Sequence, residues 1–369
     1  QQLTLDTAAQ LKIEGGIRYT RSHTIQTTDI FVSSPGNAGY FVPPFSLPPI
    51  VGVPLALQDR VYKPFTGGVN ASFAITPDIN VYAAYGHSFR AGSAGVSVPA
   101  GVSNDLILTK PEKTDSYEVG IKGAILDGRV NFAISAFYQK LDNYLSRFTG
   151  IVYNCPTSAA SASCTTDPAV KINTPSDITA TDGSFDFNYN TDGTIKGVEL
   201  QLDARPTDNW DLGINASYAR GRFDNARVPC NDFAGTGVPN ASGPQKITGS
   251  GNVSFCQVNG RIAEVPDFNL SANTEFRFPM ETVTPYVRAL FTYRPGFRSE
   301  RVNYDYRSRQ LLNLYLGVKT NESGWDLSVF AKNLLNQKRI TNISLGTAQQ
   351  ATSAGIAYDS GYFLANTMN

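Results

Sequence analysis

The sequence predicts an all-β chain that spans a membrane as an antiparallel up-and-down β-barrel. Three observations predict it. Apolar and polar residues alternate with a period of two, the signature of strands. Charges are confined to one of the two registers. Short turns alternate with long connections along the chain, which is how a transmembrane barrel joins its strands. A soluble sandwich also alternates apolar and polar residues. It has no reason to sort its connections by length, and soluble strands average roughly 5–6 residues. Several segments here alternate over ten residues or more, the length of about 9–11 that a tilted membrane strand needs.

The strands follow in order. Leu11, Ile13, Ile17 and Tyr19 oppose Lys12, Glu14 and Arg18. Val69, Ala71, Phe73 and Ile75 oppose Asn70, Ser72 and Thr76. Val130, Phe132, Ile134, Ala136 and Tyr138 share one face, with Asn131, Ala133, Ser135 and Gln139 on the other. Val198, Leu200 and Leu202 oppose Glu199, Gln201 and Asp203, and Trp210 to Tyr218 repeats the pattern. Phe268 to Arg277, Val287 to Arg294, Leu312 to Lys319 and Trp325 to Lys332 complete it. Together these give about eleven full strands, with Gln1–Asp6 as the tail of one more. Aromatic residues near strand ends, among them Tyr19, Phe65, Tyr138, Trp210, Phe278 and Trp325, suit the girdles at the two membrane interfaces.

Tight turns fall at residues 7–10, 76–80, 126–129, 205–209, 279–283 and 321–324, several with Asp-Gly, Pro-Asp or Ser-Gly, the usual turn chemistry. Long loops are expected near residues 22–63, 91–114, 146–190, 224–264, 295–307 and 340–369. The last is expected to have no returning strand.

Composition narrows the function. Lys plus Arg and Asp plus Glu are both 31, so the net charge is zero. That argues against a nucleic-acid partner, which asks for a basic surface. Charged residues are only 17% and aromatics 11%, against the low hydrophobicity or high net charge of disorder. No apolar run approaches the 18 or so residues of a spanning helix. The four cysteines bracket loops in two pairs, Cys155 with Cys164 and Cys230 with Cys256. They read as disulfides formed outside the cytoplasm. The rival reading, a metal site, finds no CxxC and only two remote histidines, His23 and His87. Neither metal nor cofactor is expected.

Four stretches resemble the TonB-dependent outer-membrane receptors: VYAAYGHSFRAG (Val81–Gly92), KPEKTDSYEVGIKGAILDGRVNFAISAFYQKLDNYL (Lys110–Leu145), GTIKGVELQLDARPTDNWDLGINASYARGRF (Gly193–Phe223) and GWDLSVFAKNLLNQKR (Gly324–Arg339). They come in the family's order, and the resemblance covers about Leu3 to Arg339. It implies a plugged barrel of about 22 strands, of which residues 1–369 are the C-terminal part. It also implies a bacterial outer-membrane location and import of a scarce large solute, above all a ferric siderophore. The energy would come from the TonB complex, engaged through an N-terminal region. A plug domain and a TonB box are not found in these residues. Outer-membrane lipid and lipopolysaccharide are the expected surroundings.

In such receptors loop tips and the upper lumen hold the ligand. The candidates are Tyr40 and Phe41 in the first loop, Arg90 at a strand mouth, and Arg298, Arg301, Tyr304, Tyr306 and Arg307 in the fifth. Arginine and tyrosine suit an anionic, aromatic ligand, but the same residues also rim membrane interfaces. Lumen charges such as Glu14, Arg18, Glu118, Lys122, Glu199, Asp203, Glu275 and Arg288 are expected to pair with one another. A passive porin and a structural or adhesive barrel share this architecture and remain alternatives. An enzyme is not expected, since no G-x-S-x-G occurs and only two histidines are present.

Overall fold

The computed structural model describes residues 2–7, 10–25, 59–92, 109–152, 184–232, 235–238, 253–299, 304–321, 324–345, 351–353, 356–358 and 363–367. Twelve strands form one large sheet: β1 (Gln2–Thr7), β2 (Leu11–Tyr19), β3 (Phe65–Thr76), β4 (Ile79–Arg90), β5 (Glu112–Ile125), β6 (Val130–Val152), β7 (Ser184–Thr207), β8 (Trp210–Phe223), β9 (Phe268–Arg277), β10 (Val283–Arg294), β11 (Arg309–Thr320) and β12 (Asp326–Ala331). Each is antiparallel to the next, so sheet order is chain order. The eleven predicted strands and the N-terminal tail are all present. Among the described residues no helix is long and apolar enough to cross a membrane.

The register puts the apolar set on one face and leaves that face uncovered. Ile17, Phe65, Val119 and Val329 are 70%, 66%, 57% and 69% exposed. A contiguous apolar surface of this extent marks a membrane or partner contact. A cluster of buried apolar residues lies beyond the long-loop end of β8. There Phe223, Ala226 and Val228 pack with Tyr144, Phe148, Val258 and Ile262.

At the opposite end the chain reverses in tight turns. Leu126, Asp127 and Gly128 all take positive φ (54°, 54° and 80°), and Arg129 N donates to Leu126 O at 3.1 Å. Glycine adopts this conformation without the Cβ penalty that Leu126 bears.

Several segments expected as loops are partly strand. β6 runs 23 residues and β7 24, so residues 146–152 and 184–190 are extended. At roughly 3.3 Å per residue these strands are about 75 Å long, far more than a hydrocarbon layer of about 30 Å. They therefore rise well above it. The loop expected at residues 146–190 is shortened at both ends, and the alternation of Phe185, Phe187 and Tyr189 with Asp186, Asn188 and Asn190 belongs to β7. In the structure Gly193 pairs with Leu141 and with Phe223. Asp192 Oδ1 accepts from Asn143 N at 2.8 Å, within the register shift between Leu141 and Tyr144. The first, fourth and fifth long connections hold hairpins: Ser22–Ile25 with Asp59–Tyr62, Ala226–Pro229 with Phe255–Val258, and Phe297–Ser299 with Tyr304–Tyr306. Within the C-terminal stretch Ile340–Leu345 pairs antiparallel with Phe363–Thr367, and among the described residues neither joins the twelve-stranded sheet. Cys230 and Cys256 form a disulfide with Cα atoms 5.8 Å apart. Cys155 and Cys164 lie outside the described residues.

Candidate functional site

The long-loop end carries a rim of short hairpins. The hairpin after β10 shows how cross-strand pairing builds it. Arg298 faces Asp305, and Arg298 Nη1 lies 2.7 Å from Asp305 Oδ2. Phe297 faces Tyr306, and their rings stack with centroids 4.8 Å apart and planes at 14°. Tyr304 meets Tyr306 edge-on at 5.0 Å. Arg307 follows, exposed.

Four of the predicted ligand residues thus come together: Arg298, Tyr304, Tyr306 and Arg307. Tyr306 is buried under its neighbours while Tyr304 is only half-buried. Arg90 is not part of this group. It ends β4, six strands away, where its Nη2 lies 2.5 Å from Glu112 Oε2. The same Glu112 oxygen accepts from Leu145 N at 3.0 Å, so Arg90 helps to knit β4 to β6. Tyr40, Phe41 and Arg301 lie outside the described residues.

The sequence reading missed the partners of this hairpin. Arg261 places its guanidinium 5.5 Å from the Phe297 ring centroid. It also pairs with Asp267, which Arg222 holds from the other side at 3.1 Å. Asp267 therefore ties the β8–β9 connection to the top of β8, and Arg261 carries that tie to the fifth-loop hairpin. No periodicity marks these residues. The alternating Phe-Arg-Ser and Tyr-Asp-Tyr triplets were the available signal for the hairpin itself.

Between the loops and the turns, the polar face is charge-paired near the turn end. Arg288 Nη2 lies 2.5 Å from Glu275 Oε2, and Arg277 reaches both Glu275, at 3.3 Å, and Asp211. Arg205 Nε completes this group at 2.8 Å from Asp211 Oδ1. Lys12 pairs with Glu14 at 2.8 Å. Lys122 lies over the Tyr82 ring at 5.8 Å, and Tyr82 Oη donates to Glu118 at 2.5 Å. Gly120 makes room for that ring, since a Cβ there would overlap it. Higher on this face lies a recess of about 510 Å³, bounded by Tyr82, Glu118 and Glu199 on one side and Arg294 and Arg309 on the other.

Among the described residues no group of three or more His, Cys, Asp or Glu side chains could hold a metal. Each histidine has an aspartate partner: His23 Nε2 with Asp59 at 2.5 Å, and His87 Nδ1 with Asp115 at 2.8 Å.

The TonB dependent receptor-like β-barrel family matches residues 2–334. Among solved structures, the chain is similar to the ferric yersiniabactin uptake receptor FyuA from Yersinia pestis (15% identity, 94% of this chain and 41% of that one, TM-score 0.57). It is also similar to BauA, the ferric preacinetobactin receptor from Acinetobacter baumannii (16%, 91% and 38%, 0.54). A third similar structure is the copper transporter OprC (14%, 92% and 42%, 0.54). The chain thus spans about two fifths of the length of these proteins. At such identities the likeness is one of fold.

Proposed function

The chain belongs to the TonB-dependent receptor β-barrel family, and from that premise we propose that it is part of an outer-membrane receptor importing a ferric siderophore with energy delivered through TonB. Members of the family are outer-membrane transporters rather than enzymes. The open end presents what an anionic, aromatic chelate needs. Tyr304 offers an aromatic face, and Arg298 and Arg307 offer guanidinium groups whose planar donors match negatively charged oxygens. Arg298 is balanced by Asp305, so the ligand's oxygens would compete with that carboxylate for it. Tyr40, Phe41, Arg90 and Arg301 complete the proposed contact set. Further strands beyond the twelve would close the sheet into a barrel of about 22 strands, since an open edge in lipid leaves backbone groups without partners.

The observation that carries this reading is the gathering of Arg298, Tyr304, Tyr306 and Arg307 on one hairpin at the long-loop end. The test is uptake of iron-55-labelled ferric siderophores by iron-starved cells of a deletion strain complemented with the full-length gene. Uptake is expected to need both this gene and an intact TonB system. The Arg298→Ala, Arg307→Ala double variant is expected to raise the half-saturating concentration about tenfold or more, the effect of losing charge-assisted hydrogen bonds. Uptake that persists without TonB would overturn the energised reading. Failure of every ferric chelate in a chemically varied panel would overturn the siderophore reading.

A further inference from the structure

A row of tyrosines on the apolar face ends in two unneutralised cations. Tyr85, Tyr117 and Tyr138 stand side by side across β4, β5 and β6, with successive ring centroids 5.1 Å and 6.4 Å apart. The same row continues onto β7 and β8, where its next two positions are Lys196 and Arg220. Lys196 keeps the register of Val198, and Arg220 that of Tyr218, both exposed on the apolar face. The two cations therefore face outward too, at the level where the aromatic row marks a membrane interface. Both are exposed.

Neighbouring cations on this face have carboxylates. His87 lies 2.8 Å from Asp115, Lys140 3.0 Å from Asp142, and Arg222 3.1 Å from Asp267. Among the described residues Lys196 and Arg220 have none, and each is the other's cross-strand partner. Like charges directly opposite destabilise a sheet, so sheet pairing is no reason to place them so. Residues so paired have Cβ atoms about 5 Å apart, close enough for both cations to reach oxygens of one anion.

We propose that Lys196 and Arg220 form an outer-wall site for a lipid phosphomonoester, the phosphate of lipopolysaccharide in the outer leaflet. A phosphomonoester carries a charge of about −1.5 to −2 at neutral pH, which matches two unneutralised cations. A phosphodiester headgroup carries only a single negative charge. The guanidinium presents a planar fork to two phosphate oxygens, and the ammonium a point charge to the third. The occupant is a lipid because the two cations rise from a wall of apolar residues, and a molecule with acyl chains covers both. The inference rests on the membrane placement of that wall and is independent of what the receptor imports.

The experiment is native mass spectrometry of the full-length protein in detergent, titrated with lipid A, with lipid A stripped of its phosphates, and with phosphatidylglycerol. Lipid A is expected to give a retained adduct at a concentration about tenfold lower than either control, the effect of charge-assisted hydrogen bonds. Lys196→Gln with Arg220→Gln is expected to remove that advantage, and Lys196→Arg to keep it. Equal retention of lipid A and either control by the unaltered protein would overturn the proposal. So would an advantage that survives the double variant. Displacement of lipid A by an equal concentration of inorganic phosphate would overturn the lipid as the source of the phosphate. Selective retention of lipid A by a protein that takes up no ferric siderophore would leave this site standing and remove only the siderophore reading.

Discussion

Asn190 holds three backbone groups with one side chain. Its Oδ1 accepts from Lys110 N at 2.5 Å, and its Nδ2 donates to Lys110 O at 3.1 Å and to Asn143 O at 2.6 Å. The chain entering β5 is thereby tied to the rising part of β6 and β7. A similar tie reaches the first hairpin, where Arg60 Nη1 donates to Thr109 O at 2.7 Å. Each such bond contributes about 0.5–1.5 kcal/mol net, so the Asn190→Ala variant is expected to lose roughly 2 kcal/mol of local stability. The loss should appear as faster hydrogen exchange at the Lys110 amide, with the amides of β9 and β10 unchanged. Equal protection of Lys110 in both proteins would show that the carboxamide does not hold this segment. The alternation of Phe185, Phe187 and Tyr189 with Asp186, Asn188 and Asn190 marks a strand, but it says nothing of which backbone groups the Asn190 side chain bonds. A side chain that bonds distant backbone leaves no mark on its own neighbours in the chain.

At the scale of elements, the connection from β8 to β9 is a small folded unit. Its strands Ala226–Pro229 and Phe255–Val258 pair, and the disulfide closes them 26 residues apart. Val228, Val253, Phe255 and Cys256 are buried, and Arg227 lies 3.7 Å from the Phe255 ring centroid. The pairing of Cys230 with Cys256 was legible because the two residues bracket a loop. The hairpin was not, because each strand is four residues long, too short for alternation to register. Closing a loop of this length constrains the unfolded segment by about 3 kcal/mol in the chain-entropy account. The Cys230→Ser, Cys256→Ser double variant is therefore expected to be cut by protease between residues 231 and 255 at concentrations that leave the parent intact. The sheet should still resist boiling-dependent mobility change on gels to the same temperature. Cleavage spreading into β8 and β9 would instead mean that the staple supports the sheet.

At the scale of the whole molecule, charges keep to one register on the turn side of Tyr117 and Tyr138 and take either register beyond them, as Lys113, Asp115 and Lys140 do, and this has a single physical source. Lipid excludes charge from one face of the sheet, and that exclusion writes itself along every strand. This is why the strands were legible when the loops were not: lipid imposes one condition on all strands, whereas each loop obeys its own local contacts. The same argument predicts a dependence on depth. Ile134 stands midway along β6 between the turn at residues 126–129 and Tyr138, 43% exposed on the apolar face. An arginine at the midplane of a barrel's lipid face costs about 2–4 kcal/mol, falling to about 0–1 near an interface. Ile134→Arg is accordingly expected to lower the stability of the full-length protein in lipid vesicles by that larger amount, and Val130→Arg, beside the turn, by the smaller. Were the face wet instead, an exposed position such as Ile134 would tolerate arginine within about 0.5 kcal/mol, and the two variants would unfold alike in a urea titration. Equal midpoints would overturn the membrane placement of this sheet. A gap of about 2 kcal/mol between them would fix the hydrocarbon midplane near Ile134 and place both girdles relative to it.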